Sequence, residues 1–178
     1  MLPIGPLMIE HRLIERMIAV MKSELQRLED KRKVNPVLID TAADFIRTYA
    51  DRCHHGKEED ILFRELAKKQ LSEAHRAIMQ ELIDEHTWGR KTTKKLVDSK
   101  ERYLKREENA LSEMVTCLRE LVDFYPKHIE KEDRRFFVPV MDYFTHEEKE
   151  AMLQEGYEFD RNLIHEKYRD IVREFERE

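Results

Sequence analysis

Two stretches of this chain could do chemistry together. In His55-Gly56-Lys57-Glu58-Glu59-Asp60 and in His128-Ile129-Glu130-Lys131-Glu132-Asp133, a histidine is followed four residues later by a glutamate and then by an aspartate. A phenylalanine, Phe63 or Phe136, stands eight residues after each histidine. On a helix, residues four apart lie on one face, one turn above each other. Each stretch can therefore aim an imidazole and a carboxylate at one point, as metal ligands do. The spacing upstream repeats as well: Glu10-His11 stands 44 residues before His55, and Glu85-His86 stands 42 before His128. The chain reads as two helical hairpins, each offering one histidine from its first helix and a His-x-x-x-Glu pair from its second. A single such pair means little in a Glu-rich helical protein, since His11, His54 and His146 also have Glu four residues on. The joint pattern carries the argument.

The metal ligands expected on this reading are His11, His55, Glu59, His86, His128 and Glu132. Four neutral imidazoles and two carboxylates are too many for one tetrahedral zinc with an open position. Two divalent cations fit better, with two histidines on each and Glu59 and Glu132 bridging. Nitrogen and oxygen donors without thiolates suit iron, manganese or zinc. A bridging water or hydroxide would complete the charge balance, and an open coordination position could take dioxygen, nitric oxide or peroxide. Tyr125, one turn before His128, could line that pocket.

These ligands need four long helices to position them. The first is expected from Pro6 to about Asp30, with His11, Ile14, Ile18, Met21, Leu25 and Leu28 on a 3-4 seam. The second starts at Pro36, after the polar break Lys31-Arg32-Lys33-Val34-Asn35. It decides which of two adjacent histidines faces inward. At 100° per residue from Phe45, His55 falls about 80° to one side, whereas His54 falls about 180° and Glu58 about 140° away. A helix continuous through Gly56 thus turns His55 and Glu59 to the core. His54 and Glu58 are expected to take surface or supporting roles, and either could become a further ligand if Gly56 bends the helix. Ser72 is the expected N-cap of the third helix, whose seam includes His75, Met79, Leu82, His86 and Leu96. The fourth carries Leu111, Met114, Leu118, Leu121, Tyr125, His128 and Glu132, with a kink expected at Pro126. Thr145-His146-Glu147-Glu148 is a capping box opening a short helix that Gly156 should end. A last helix from about Asp160 to Arg177, with Ile164, Tyr168, Ile171 and Phe175 on one face, should dock on the bundle or on a second copy of the chain.

The resulting expectation is an all-α, up-down four-helix bundle over residues 1–140 with a C-terminal helical extension over 141–178. Charged residues make up 40% and hydrophobic residues 40% of the chain, a balance of long amphipathic helices. The net charge of −5 lies in mixed-sign runs with no basic face, which argues against nucleic acid. No apolar run approaches the roughly 18 residues of a membrane span, and the N-terminus lacks a signal peptide's basic region. Cys53 and Cys117 form no CxxC pattern, so a reduced, cytoplasmic protein is expected. Cys53 should be buried beside the site without a reaction of its own. His75 should be a hydrogen-bonded interior or hairpin residue, His146 and His165 surface residues, and Trp88 and the methionines packing.

The residues Glu10-His11-Arg12-Leu13-Ile14-Glu15-Arg16, His54-His55-Gly56-Lys57-Glu58-Glu59-Asp60, Glu85-His86 followed by Arg90, and His128-Ile129-Glu130-Lys131-Glu132-Asp133 resemble the hemerythrin-like cation-binding domain, the HHE family. The likeness covers roughly residues 6 to 140. It implies a non-haem site of two iron ions, oxo- or hydroxo-bridged, on His11, His55, Glu59, His86, His128 and Glu132. It also implies binding of oxygen, nitric oxide or iron for sensing, storage or defence. The oxygen carriers of that family place two histidines one turn apart on the third helix, whereas here Leu82 and Arg90 flank His86 at those positions. A binding protein without turnover is the expected reading, and a di-iron enzyme such as a peroxidase or nitric oxide reductase the alternative. A helical interaction module whose metal is structural stands third.

Overall fold

The computed structural model describes residues 1–31 and 33–175, with side chains at 1–31 and 33–163. Five helices follow one another: α1 (Ile4–Lys31), α2 (36–66), α3 (Glu73–Leu104), α4 (110–140) and α5 (His146–Phe175). The described residues contain no β-strand. Capping chemistry sets the starts. Asn35 accepts a hydrogen bond from the Leu38 N–H at 3.3 Å with Pro36 opening α2, and Ser72 accepts from the His75 N–H at 3.1 Å at the head of α3. Between α3 and α4 the chain turns through Arg106 and Asn109, both in the left-handed region at φ 62° and 64°.

Helices α1 to α4 bury seams of the expected spacing in two apolar clusters. The larger joins Ile14, Ile18, Met21, Leu25 and Leu28 of α1 to Ile39 and Ile46 of α2, Leu96 of α3, and Met114, Leu118 and Leu121 of α4. The smaller gathers Ile4 and Leu7 of α1, Phe63 and Leu66 of α2, Leu82 of α3, and Phe136, Phe137 and Val140 of α4. Along α1, α2 and α3 the chemically active residues fall between the contributions to the two clusters, and on α4 they flank Ile129, the last member of the larger cluster, ahead of Phe136. His11 lies between Leu7 and Ile14, and His54 to Glu58 lie between Ala50 and Ile61. His86 lies between Leu82 and Leu96, and His128 and Glu132 lie between Leu121 and Phe136. A polar layer is thus sealed between two apolar ones.

Two expectations are corrected. The two C-terminal helices are one: α5 runs unbroken through Gly156. Its capping box forms as expected, with the Glu148 N–H donating to Thr145 Oγ1 at 3.2 Å and the Thr145 N–H to Glu148 at 2.9 Å. The docking face Ile164, Tyr168, Ile171 and Phe175 lies beyond the described side chains, as does His165. The second correction decides the site. Helix α2 does run through Gly56, but Ile46–His55 and Glu58–Phe63 are π-helical. Bonds from i to i+5 turn the chain by less than 100° per residue. Over the nine residues from Phe45 to His54 that shortfall moves His54 and Glu58 from the far side to the interior. Glu58 is fully buried and His54 is 1% exposed, while Glu59 is partly exposed. Helix α4 runs through Pro126 and then also opens into a π segment, Glu132–Phe136.

Candidate metal centre

The polar layer consists of five imidazoles and two carboxylates, all buried: His11, His54, His55, His86, His128, Glu58 and Glu132. Expected residues His11, His55, His86, His128 and Glu132 converge here, and so do His54 and Glu58. Glu59 does not point into the pocket; its Oε1 lies 2.7 Å from Nδ1 of His86 and accepts from Arg90.

Each histidine is held by a carboxylate at Nδ1. His54 is 2.9 Å from Glu10, His128 is 2.7 Å from Glu85, His11 is 2.8 Å from Asp133, and His86 is held by Glu59 as above. A histidine that gives its Nδ1 proton to a carboxylate keeps its Nε2 lone pair free and its ring orientation fixed, the arrangement that accompanies metal-ligating histidines. The four Nε2 atoms of His11, His54, His86 and His128 point inward, and none makes a hydrogen bond. Neither do the four carboxylate oxygens of Glu58 and Glu132. Eight buried polar atoms without a partner would be costly in a protein built only to fold, because each forfeits its hydration. They approach one another to 3.2–3.7 Å, outside hydrogen-bond alignment, as donors around a common cation do.

The two carboxylates span two positions. Glu58 turns Oε1 to His54 at 3.4 Å and Oε2 to His86 at 3.3 Å. Glu132 turns Oε2 to His11 at 3.2 Å and Oε1 to His128 at 3.2 Å. Donor atoms group accordingly, His11, His54, Glu58 and Glu132 in one set and His55, His86 and His128 in the other. The donor set, nitrogen and oxygen ligands without a thiolate, fits metal cations that favour such donors.

Charge in the layer is tightly balanced. Burial alone would lower the His11 and His86 values, but the carboxylates of Asp133, Glu132, Glu58 and Glu59 overcome it and push them up, to about 10 and about 11. Glu132 stays ionised far below the ordinary carboxylate range although burial opposes it, because His128, His11 and His86 surround it. His55 goes the other way: burial and the neighbouring imidazoles of His86, His128 and His54 keep it neutral. Its ring stacks on His86 at 3.8 Å between centroids, with Nδ1 3.3 Å from Asp51. Aromatic rings wall the layer off from water: Phe137 lies on His11, Phe63 on His86 and Phe124 on His128.

The model of the hemerythrin HHE cation-binding domain matches residues 2–140. The chain belongs to this family. No curated protein and no solved structure matches it. Membership implies the binding of cations, and the His/Glu clusters of the layer fit a metal site. The HHE match ends where α4 ends, so α5 lies outside it. On the side of His55, Tyr125 is buried, and burial followed by the charge of Asp51 raises its hydroxyl's pKa. Tyr125, His55, Asp51, Arg90 and Thr93 line a pocket of about 300 Å³. No helix among the described residues is long and apolar enough to cross a membrane.

Several supporting residues escape a reading by helical phase. Glu10, Glu85, Asp133 and Asp51 hold histidines from other turns or other helices. The signal was present: aligning the acidic doublets Glu58-Glu59 and Glu132-Asp133 pairs His54, not His55, with His128. The separations then become 44 residues from Glu10 to His54 and 43 from Glu85 to His128. Cys53 is buried with its thiol pushed up to about 12, chiefly by desolvation, in keeping with a residue given no reaction. His75 meets the Tyr143 hydroxyl at 2.9 Å beside the α2–α3 turn.

Proposed function

We propose that this protein binds two iron ions and uses them to take up a small diatomic molecule, dioxygen or nitric oxide, for sensing, storage or stress defence. His11 and His54 would hold one ion and His86 and His128, with His55 beside them, the other, while Glu58 and Glu132 would offer an oxygen toward each. The observation that carries this reading is the set of eight inward-facing, unpartnered donor atoms. Manganese or zinc could occupy the same donors. Iron bound here would supply an open coordination position for the diatomic ligand.

The chain's own residues do the rest. Glu10, Glu59, Glu85 and Asp133 fix the ring orientations in advance, so loading a cation requires little rearrangement. Phe63, Phe124 and Phe137 keep water from the donors. The pocket at His55 and Tyr125 provides the approach for a small molecule. Its polar lining also supports a second reading, a di-iron enzyme such as a peroxidase or nitric oxide reductase, because Tyr125, His55 and Asp51 could pass protons.

The experiment is anaerobic loading with ferrous iron, elemental analysis, and exposure to oxygen or nitric oxide while the optical spectrum is followed. Two ions per chain and a stable coloured adduct support the binding reading. Repeated consumption of the gas supports the enzyme. A protein that holds only zinc and is inert to both gases refutes each of them.

A further inference from the structure

The two hairpins hold their histidines by the same relay. In the second, His128 is held by Glu85, and Lys131 binds Glu85 and also Glu81, four residues back on the same helix. In the first, His54 is held by Glu10, and Lys57, which stands to His54 as Lys131 stands to His128, binds Glu10. The residue four before Glu10 is Pro6, whose side chain has no carboxylate to offer. The missing carboxylate comes from α5 instead: Lys57 Nζ lies 2.9 Å from Asp160 Oδ2 and 2.7 Å from Oδ1. Lys57 is 5% exposed, so its charge needs both acids. Cys53 donates to the same Asp160 at 3.3 Å.

Helix α5 is seated for this. The ring of Phe159 lies so close to the backbone of Gly56 that a Cβ there would come within 2.8 Å of Cζ. Arg64 grips Glu155 through two hydrogen bonds of 2.8 and 2.7 Å. The helix outside the family match is thus anchored on the segment of α2 that carries His54 and Glu58.

We propose that α5 is a working part of the cation site: Asp160 is a positioning residue that supplies the carboxylate the first hairpin lacks, and through Lys57 and Glu10 it sets the hold on His54. With Asp160 removed, the Lys57 ammonium bears on Glu10 alone and competes with His54 for it. Only the cation held by His11 and His54 should feel this. The inference rests on the assignment of His54 as a ligand.

The test is anaerobic titration of the full chain with Co²⁺ against a competing chelator, which reads two dissociation constants. Asp160→Asn should weaken one of them about tenfold, the low end of what losing a direct partner of a ligating histidine does, and leave the other within about twofold. Glu10→Gln should weaken the same constant, Asp160→Glu should keep it, and Pro6→Glu in the Asp160→Asn background should restore it. Far-ultraviolet circular dichroism should not change, since Phe159 and Glu155 still seat the helix. Equal weakening of both constants, no weakening, or no recovery with Pro6→Glu overturns the proposal. A wild-type chain that takes up fewer than two ions sinks the dinuclear reading together with this inference, whereas unchanged binding by Asp160→Asn sinks the inference alone.

Discussion

Glu58 and Glu59 are adjacent in sequence, and replacing each by glutamine separates the observed helix geometry from a uniform α-helix. Glu58 is fully buried, and both its oxygens face histidine Nε2 atoms without a hydrogen bond. Glu59 is about a quarter exposed and pairs with the outer nitrogen of His86 and the Arg90 guanidinium. On the proposed reading, Glu58→Gln removes a full negative charge from beside the bound cations. A unit pair about 4 Å apart at an effective dielectric of about 20 is worth about 4 kcal/mol. At about 1.4 kcal/mol per tenfold change, that is about three decades of affinity. Glu59→Gln removes an orienting hydrogen bond, and such losses run to about 10–100-fold. Chelator competition under anaerobic conditions, followed by elemental analysis of the desalted protein, measures both. The expected order is a loss at least about tenfold larger for Glu58→Gln than for Glu59→Gln. If Glu59→Gln proves equal or worse, the π-helical phase assigned to α2 is wrong and Glu59 is the bridge.

Removing metal should destabilise the fold: at a free ion concentration of about 100 times Kd the bound state gains about 2.7 kcal/mol, or about 5–10 °C in Tm for a chain of this length, and a chelator that leaves Tm unchanged refutes a resident cation. His11 and His86 have raised values, about 10 and about 11, so without metal their protons stabilise the fold fully below pH about 6.5, an effect lost as pH climbs through 10 to 11. Cation binding must displace those protons, and affinity should rise with pH; calorimetry in two buffers of different ionisation enthalpy should show proton release at pH 7, and none would refute the assignment. Gly56→Ala should cost about 1–3 kcal/mol by overpacking against Phe159, and Phe159→Leu in the same chain should recover part of it in urea unfolding; additive effects would show that the two residues do not touch.

Most of the bundle was legible because its signals are local and redundant. The 3-4 seams of α1 and α4, Pro36 after Asn35 and the Ser72 cap each act within a turn, and all point to the same helices. Gly156 misled because a glycine in an exposed helix costs only about 1 kcal/mol, and the contacts of α5 with α2 outweigh that. The phase of α2 was out of reach of a fixed 100° step. Whether a helix widens depends on what its side chains meet across the bundle, here the ring of Phe159 on Gly56 and four partners for buried imidazoles. Except for Asp51, which serves His55 from the same helix, the carboxylates holding the histidines escaped notice because each belongs to a different helix from the histidine it serves.

That last fact bears on where two of the π segments lie. Two of the three begin on a buried acid, Glu58–Phe63 in α2 and Glu132–Phe136 in α4, and the third, Ile46–His55, brings His54 inward. Each bridging acid is followed by a second acid that must turn outward to a neighbouring helix, Glu59 to His86 on α3 and Asp133 to His11 on α1. From α1 and α3, Glu10 reaches His54 on α2 and Glu85 reaches His128 on α4. The four hydrogen bonds form a closed ring, α1 to α2 to α3 to α4 and back to α1. A ring of this kind fixes every ring orientation before a cation arrives, and it ties helix spacing to ligand geometry. Opening one link therefore perturbs the adjacent ligand directly and the rest only through small shifts of packed helices. On this argument, losses from single outer carboxylates should be moderate and largely local. The bridging acids, which serve both positions at once, should be the residues the centre tolerates least.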